Sequence, residues 1–370
     1  MQERSEIVGA CVWHGEEMAR SRRWIFELSQ AELEALDAAV VEVAARGIPW
    51  QEITRESFPL EGWQARIAQI REELEEGSGM ARLRAIPVGR YTPEDLKRLW
   101  FGLGQHLGTT LFQNNRGELM REIRDEGGGV AERYGALETG EGSFLSSYAR
   151  TLTNGALRFH TDRCDVVGLL CVNQAGRGGV STLCSSPAVH NAIKQRRPDL
   201  LEVLYQPFYR SRFGEEKGAE QVAYPLPIFG QRAGKFTSHY SLTYIEAAEL
   251  LPGVPKLTAA QREAIALLME VAEELSFEMT LEPGDIQLLN NHVIYHGRTP
   301  FEDDPRAGRQ RLLYRLWLAM PDSRPLPEEH AVLWRNVAAG ALRGGIGQGP
   351  WVPHPLERVA QDLVGPATLG

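Results

Sequence analysis

The stretch SFEMTLEPGDIQLLNNHVIYHGRT (276–299), with RQRLLYRLWLAM (309–320) close behind it, decides the fold. Each reads as short extended runs broken by turn residues, and Pro283-Gly284-Asp285 is the sharpest turn. Working outward toward the N-terminus, the same texture recurs in ALRFH (156–160), VVGLLCVNQ (166–174), GVSTLCSS (179–186), QPFYRSRF (206–213), QVAYPLPIF (221–229) and KFTSHYSL (235–242). Many short strands with few long helices between them predict a mainly β, α+β protein. Its expected core is a sandwich or jelly roll rather than alternating βαβ units. The surplus of turn formers, 37 Gly and 21 Pro in 370 residues, agrees with that reading.

Helices are expected outside this core. Ser29 and Glu32 form a capping-box pattern ahead of Leu33, Leu36, Ala39 and Val40, and a second helix is expected over 60–75, stopped by Gly77. A strand is expected at 82–88, followed by a helix opened by Thr92-Pro93-Glu94-Asp95 and a turn with a short strand over 104–115. The segment 244–251 could be helical, and 258–275 is the strongest helix of the second half, with Ile265, Leu268, Met269 and Ala272 on one face. Residues 116–150 are rich in Gly, Glu and Arg with weak periodicity, which predicts a long, lid-like loop. The expected organisation is therefore an N-terminal helical extension (1–80), a jelly-roll unit (81–325) and an irregular C-terminal tail (326–370).

Charge and cysteine usage narrow the function classes. The balance of 40 Lys+Arg against 49 Asp+Glu gives a net −9, which argues against a nucleic-acid backbone binder. No run approaches 18 consecutive apolar residues, and the N-terminus carries charges of both signs without an apolar signal region. Cys11, Cys164, Cys171 and Cys184 make no CxxC pair and read as reduced thiols, so a soluble cytoplasmic protein is expected, with no membrane partner. Nothing in the sequence speaks to oligomeric state.

The chemistry lies in three places. In His160-Thr161-Asp162 the first and third residues would share a strand face, so an imidazole and a carboxylate can converge on one ion. A second histidine 134 residues beyond Asp162, His296, would complete two histidines and a carboxylate on one face of a metal, with His292 as its rival. Such a set leaves open positions on Fe(II). Farther on, Arg311 and Arg315 share a strand face with Trp317. Buried arginines there are costly unless each meets an anion, either a ligand carboxylate or an acidic side chain such as Glu302 or Asp303. Tyr148, Asn154 and Arg158 flank the HTD element and could face a substrate, as could Gln113 and Asn114.

Taken in order, FHTD (159–162), Gly178-Gly179-Val180-Ser181, PGD…NN…HGRT (283–299) and R-x-x-x-R (311–315) resemble the Fe(II)/2-oxoglutarate dioxygenases of the taurine dioxygenase/2,4-dichlorophenoxyacetate dioxygenase superfamily, to which clavaminate synthase is related. The resemblance spans about residues 80–320. It implies a double-stranded β-helix flanked by helices, with His160, Asp162 and His296 as iron ligands. Arg311 would hold the distal carboxylate of 2-oxoglutarate, with the hydroxyl of Ser181 or of its neighbour Thr182. Arg315 would lie near the primary substrate or help to anchor the cosubstrate. The implied activity uses Fe(II), 2-oxoglutarate and O₂ to oxidise an unactivated C–H bond of a small carboxylate- or amino-acid-like molecule, releasing succinate and CO₂. Asp162 favours hydroxylation over halogenation, because halogenase variants of such sites lack that carboxylate. The competing readings are a metal-dependent hydrolase using the same ligands and a non-catalytic jelly-roll binding protein. The hydrolase would leave Arg311 and Arg315 without a role.

Overall fold

The computed structural model describes residues 4–134, 136–139, 142–212 and 221–347. Two antiparallel-dominated sheets face each other. The larger is built from β1 (Ile25–Glu27), β2 (Met80–Arg84), β3 (Thr109–Thr110), β4 (Met120–Ile123), β6 (Val166–Asn173), β9 (Ile286–Asn290) and β11 (Leu312–Ala319), taking β5 as Leu157–His160, β7 as Ser181–Ser185, β8 as Phe277–Met279 and β10 as Ile294–Arg298. Its order is β1-β2-β9-β6-β11-β3, with β4 also on β11; the smaller sheet runs β8-β7-β10-β5. This is the two-sheet jelly roll that the turn-punctuated sequence predicted, with three further two-stranded ribbons among the described residues outside it and a β-bridge pair at 177–178 and 301–302.

Alternation along β11 explains the two cores. Leu313 and Trp317 turn into the space between the sheets with Leu183, Tyr295 and Leu289, whereas Tyr314, Leu316 and Leu318 face the helical layer. That layer is made by α1 (Gln30–Ala45), α2 (Gln64–Glu75) and α3 (Pro93–Leu107). Ser29 and Glu32 close the expected capping box on α1, and Thr92 caps α3 with Pro93 in its first turn. Trp100 of α3 donates its indole N–H to the Tyr314 carbonyl at 2.9 Å, which ties the layer to the sheet. A fourth long helix, α4 (Ala259–Leu275), caps through Thr258 and Gln261 and covers the other side.

Several boundaries differ from expectation. The helix expected over 60–75 begins at Gln64, and α3 runs on to Leu107 through the expected turn. The N-terminal segment is not purely helical, since β1 pairs in parallel with β2 and extends the larger sheet. Residues 116–150 are not a bare loop. Met120–Ile123 pairs with Leu313–Leu316, and a short helix (Val130–Tyr134), a ribbon (136–139 with 142–145) and another short helix (Ser147–Arg150) follow. A four-residue strand among charged neighbours carries too short an alternation to be read from sequence. Within the expected irregular tail, 326–347 is firmly packed: Leu326, Leu333 and Trp334 form a small core with Tyr224 and Leu226, and His330 and Arg343 are buried. The rest of that tail lies outside the described residues.

Candidate active site

β5 and β10 bring the metal-binding candidates together. Their register sets His160 directly opposite His296, and the two rings lie tilted with centroids 4.2 Å apart. Asp162 follows two residues after His160, its Oδ1 4.0 Å from His160 Nε2 and its Oδ2 3.7 Å from His296 Nε2. One ligand atom from each residue lies within 4.8 Å of the others, and they form the only such His/Cys/Asp/Glu group among the described residues. His160 donates Nδ1–H to the Arg158 carbonyl at 2.9 Å, which leaves the Nε2 lone pair directed at the cluster. The donor set therefore fits a divalent transition metal.

Electrostatics prepare these groups for ligation. Burial alone would raise the Asp162 carboxyl, but the Arg315 guanidinium and the two imidazoles outweigh it and hold the group below its ordinary range. Burial, reinforced by His160, pushes His296 down to about 3, so its imidazole is neutral at physiological pH.

His292, the rival ligand, is committed elsewhere. Its Nε2 meets Asp165 Oδ1 at 2.8 Å and its Nδ1 meets the Thr237 hydroxyl at 2.8 Å. Asp165 also accepts from Arg343 Nε at 2.8 Å and from the Met320 amide at 3.0 Å. The adjacent Asn291 accepts from the Asp162 amide at 2.9 Å and donates to the Cys164 carbonyl at 3.1 Å, fixing the turn that carries Asp162.

Arg311 and Ser181 lie beyond the histidines on the same inner face. Ser181 pairs with Arg298 and Leu183 with His296, so Ser181 shares the His296 face and Thr182 points the other way. Gly297 lies against Thr182: a Cβ there would come within 2.6 Å of Thr182 Oγ1 and 2.7 Å of the Leu157 carbonyl. Gly179, at φ +69°, leaves room for Arg311, because a Cβ would lie 2.9 Å from Arg311 Nε. Arg311 is 7% exposed, its Nη1 has no hydrogen-bond partner, and burial lowers it only to about 10, so it stays cationic. Asp303, offered as a possible acidic partner, instead accepts from the Arg311 backbone amide, and Glu302 pairs with Arg177. A buried guanidinium with an unused donor fits an anionic ligand.

The remaining candidates divide. Arg315 donates Nε–H to Gln113 at 2.7 Å and approaches Asp162 at 3.9 Å. Both residues line a cleft beside Asp162, as does Tyr148, whose ring lies 3.5 Å below the Arg121 guanidinium and whose hydroxyl meets Asn114 at 2.7 Å. Arg158 is exposed and paired with Glu246 at 2.6 Å; it lines a second cavity, with His160, of about 300 Å³. Asn154 is exposed and lines neither cavity. Sequence reasoning passed over Arg163, Arg212 and His239, all of which line the cleft. Arg163 directly follows the HTD element and could have been read with it, whereas Arg212 and His239 carry no local signal. It also passed over Arg298, which donates to the Thr153 carbonyl at 2.8 Å.

The comparisons agree with this geometry. Residues 46–317 match the family model described as taurine catabolism dioxygenase TauD, TfdA family. FR-33289 synthase of Streptomyces rubellomurinus is 30% identical over 333 residues, covering 87% of this chain and 92% of that protein. The taurine hydroxylase-like protein SAT17 of Stachybotrys chartarum is 27% identical, covering 82% and 77% respectively. Among solved structures, an asparagine oxygenase in complex with Fe(II), 3-hydroxyasparagine and succinate superposes with a TM-score of 0.59 at 16% identity, over 86% of this chain and all of that one. The chain belongs to the TauD/TfdA family of dioxygenases. It is an Fe(II)- and 2-oxoglutarate-dependent oxidoreductase that acts on a small molecule.

Proposed function

We propose that His160, Asp162 and His296 hold the iron and that Arg311, with the Ser181 hydroxyl, takes the distal carboxylate of 2-oxoglutarate. The enzyme then hydroxylates an unactivated C–H bond of a small, anionic, carboxylate- or amino-acid-like molecule bound in the cleft beside Asp162 and Arg315. The observation that carries this reading is the convergence of one ionised carboxylate and two imidazoles on the same inner face as a buried arginine with an unused donor.

Iron, 2-oxoglutarate and O₂ supply the oxidising chemistry, with succinate and CO₂ as co-products. The protein's own groups orient and enclose. His160 is fixed by the Arg158 carbonyl and Asp162 by Asn291, so two ligands are set before any ion arrives. Arg315, held by Gln113, sets the charge beside Asp162 and faces the substrate. Tyr148, on the 116–150 segment, reaches the cleft, and we read that segment as the lid of the 81–325 catalytic unit.

The Arg311 environment favours an oxygenase over a metal-dependent hydrolase, since hydrolysis at the same ligands gives that buried cation no partner. The acidic balance supports a protein without a nucleic-acid partner, and four unpaired cysteines support a cytoplasmic setting. No described helix is long and apolar enough to cross a membrane. The test is anaerobic titration of Fe(II) and 2-oxoglutarate, followed by a panel of amino and organic acids screened for stimulated succinate release. Stimulation by none of the acidic compounds, with stimulation by a neutral or cationic one, would overturn the substrate class.

A further inference from the structure

Asp162 sits on a crossing that no strand ladder supports. Residues 161–165 join β5 of the smaller sheet to β6 of the larger, and none of them belongs to a strand. The aim of the Asp162 carboxylate therefore depends on what grips this turn from outside. One grip is Asn291, whose side chain accepts from the Asp162 amide at 2.9 Å and donates to the Cys164 carbonyl at 3.1 Å. Its backbone amide donates to the Asp165 carbonyl at 2.9 Å. The Arg163 carbonyl is taken by a segment far along the chain, where Gly345 donates its backbone N–H at 2.7 Å.

That segment is anchored by Arg343. Its buried guanidinium donates to Asp165 Oδ1 at 2.8 Å, to the Arg324 carbonyl at 2.7 Å and to the Ala338 carbonyl at 3.3 Å. It thus ties the last residue of the turn to two points of the C-terminal segment. A buried ion pair adds little net stability over packed apolar side chains, whereas a guanidinium fork fixes geometry in several directions at once. Gly344 and Gly345 hold φ of +79° and +64°, and a Cβ on Gly344 would lie 2.7 Å from the Arg163 carbonyl oxygen. Glycine permits that approach at that φ. The next residue, Ile346, donates its amide to the Phe112 carbonyl at 2.9 Å and lines the cleft beside Asp162.

We propose that residues 343–346 belong to the active site as a brace for Asp162. Arg343 is a positioning residue that acts through Asp165, Gly344 and Gly345 fix the Arg163 carbonyl, and Ile346 walls the cleft. With Asn291 gripping the other side, the brace sets the Asp162 carboxylate against His160 and His296 before any ion binds. A loosened brace lets the carboxylate turn away, and the two imidazoles alone hold iron more weakly. The inference rests on the metal ligands assigned under the proposed function.

The test takes two readings on the full-length protein: anaerobic Fe(II) binding, and amide hydrogen exchange over residues 161–165 without metal. Arg343→Met and Gly344→Ala should each raise the Fe(II) dissociation constant tenfold or more, the range expected for partners that orient a ligand, and speed exchange over 161–165 at least tenfold. Gly344→Ala leaves every charge paired, so it carries the test if the methionine variant fails to fold. Arg343→Lys should change both readings less, because it keeps the charge on Asp165 and loses the fork. Leu36→Ala, in the core beneath the helical layer, should lower thermal stability yet leave both readings within twofold of the parent. Readings within twofold of the parent in the folded brace variants, or equal changes in Leu36→Ala, would overturn the brace. A parent protein that binds no Fe(II), with exchange still faster only in the brace variants, would support the brace and count against the proposed function instead.

Discussion

His292 and His296 lie four residues apart, and what their ring nitrogens meet separates them. Both nitrogens of His292 are spent on Asp165 and Thr237, whereas His296 presents Nε2 to Asp162. His292→Ala should therefore lower unfolding stability by about 2–4 kcal/mol, because it strips partners from a buried carboxylate, while the folded protein still forms its Fe(II)–2-oxoglutarate complex. Denaturant titration and the visible band read the two effects separately. The sequence could narrow the ligand choice only through a family resemblance, since Asp165 lies 127 residues away from His292 and nothing local announces the pair. Arg311 is the second residue of consequence. Arg311→Gln should raise the 2-oxoglutarate dissociation constant roughly 10- to 100-fold, in keeping with about 1.5–3 kcal/mol for a hydrogen bond to a charged group. Ser181→Ala should weaken it by a smaller factor, and Thr182→Ala should leave it within about twofold, because Thr182 faces away from Arg311. Equal effects of the two hydroxyl substitutions on the binding titration would contradict the register.

At the level of elements, strand alternation made the site legible. The face shared by Arg311, Leu313, Arg315 and Trp317 and the common face of His160 and Asp162 both follow from a period of two. The pairing that sets His160 opposite His296 is long-range, and no local pattern encodes it. Gly179 belongs to this scale, since its positive φ turns the chain and its missing side chain admits Arg311. Gly179→Ala should displace the Arg311 guanidinium and strain the turn by about 1 kcal/mol or more. Its expected signature is weakened 2-oxoglutarate binding with iron affinity kept, measured by titrating each in turn. The segment 116–150 shows where alternation fails: Met120–Ile123 is a strand because β11 offers it an edge, not because four residues declare it. Likewise 326–347 belongs to a tail expected to be irregular from its Gly and Pro punctuation, yet Trp334 and Arg343 are buried and anchor it.

The whole molecule stores acid sensitivity in its buried histidines. Burial lowers His292 and His190 to about 4 and His330 to about 3, against about 6.5 in an unfolded chain. Below pH 6.5 the unfolded chain binds protons that the folded protein refuses. The stability these groups contribute is therefore complete above about pH 6.5 and is lost as pH falls toward 4, at up to about 1.4 kcal/mol per pH unit for each histidine. Urea midpoints at pH 8, 6.5 and 5 should be similar for the first pair and lower for the third; a flat profile down to pH 5 would contradict the burial of these rings. At this scale the sequence conveyed the two-sheet core and the flanking helices, because turn spacing and capping boxes are local. It did not convey which arginines gather at the cleft, because Arg163 and Arg212 are far apart in sequence and each donates to a carbonyl of a third segment.

The claim on which the rest depends is that His160, Asp162 and His296 hold Fe(II) in a form that also accepts 2-oxoglutarate. Anaerobic addition of Fe(II) and 2-oxoglutarate to the parent protein should produce the weak visible charge-transfer band of the chelated complex, and His160→Ala should abolish it. A parent protein that shows no band, or a His160→Ala variant that keeps it, would contradict the account.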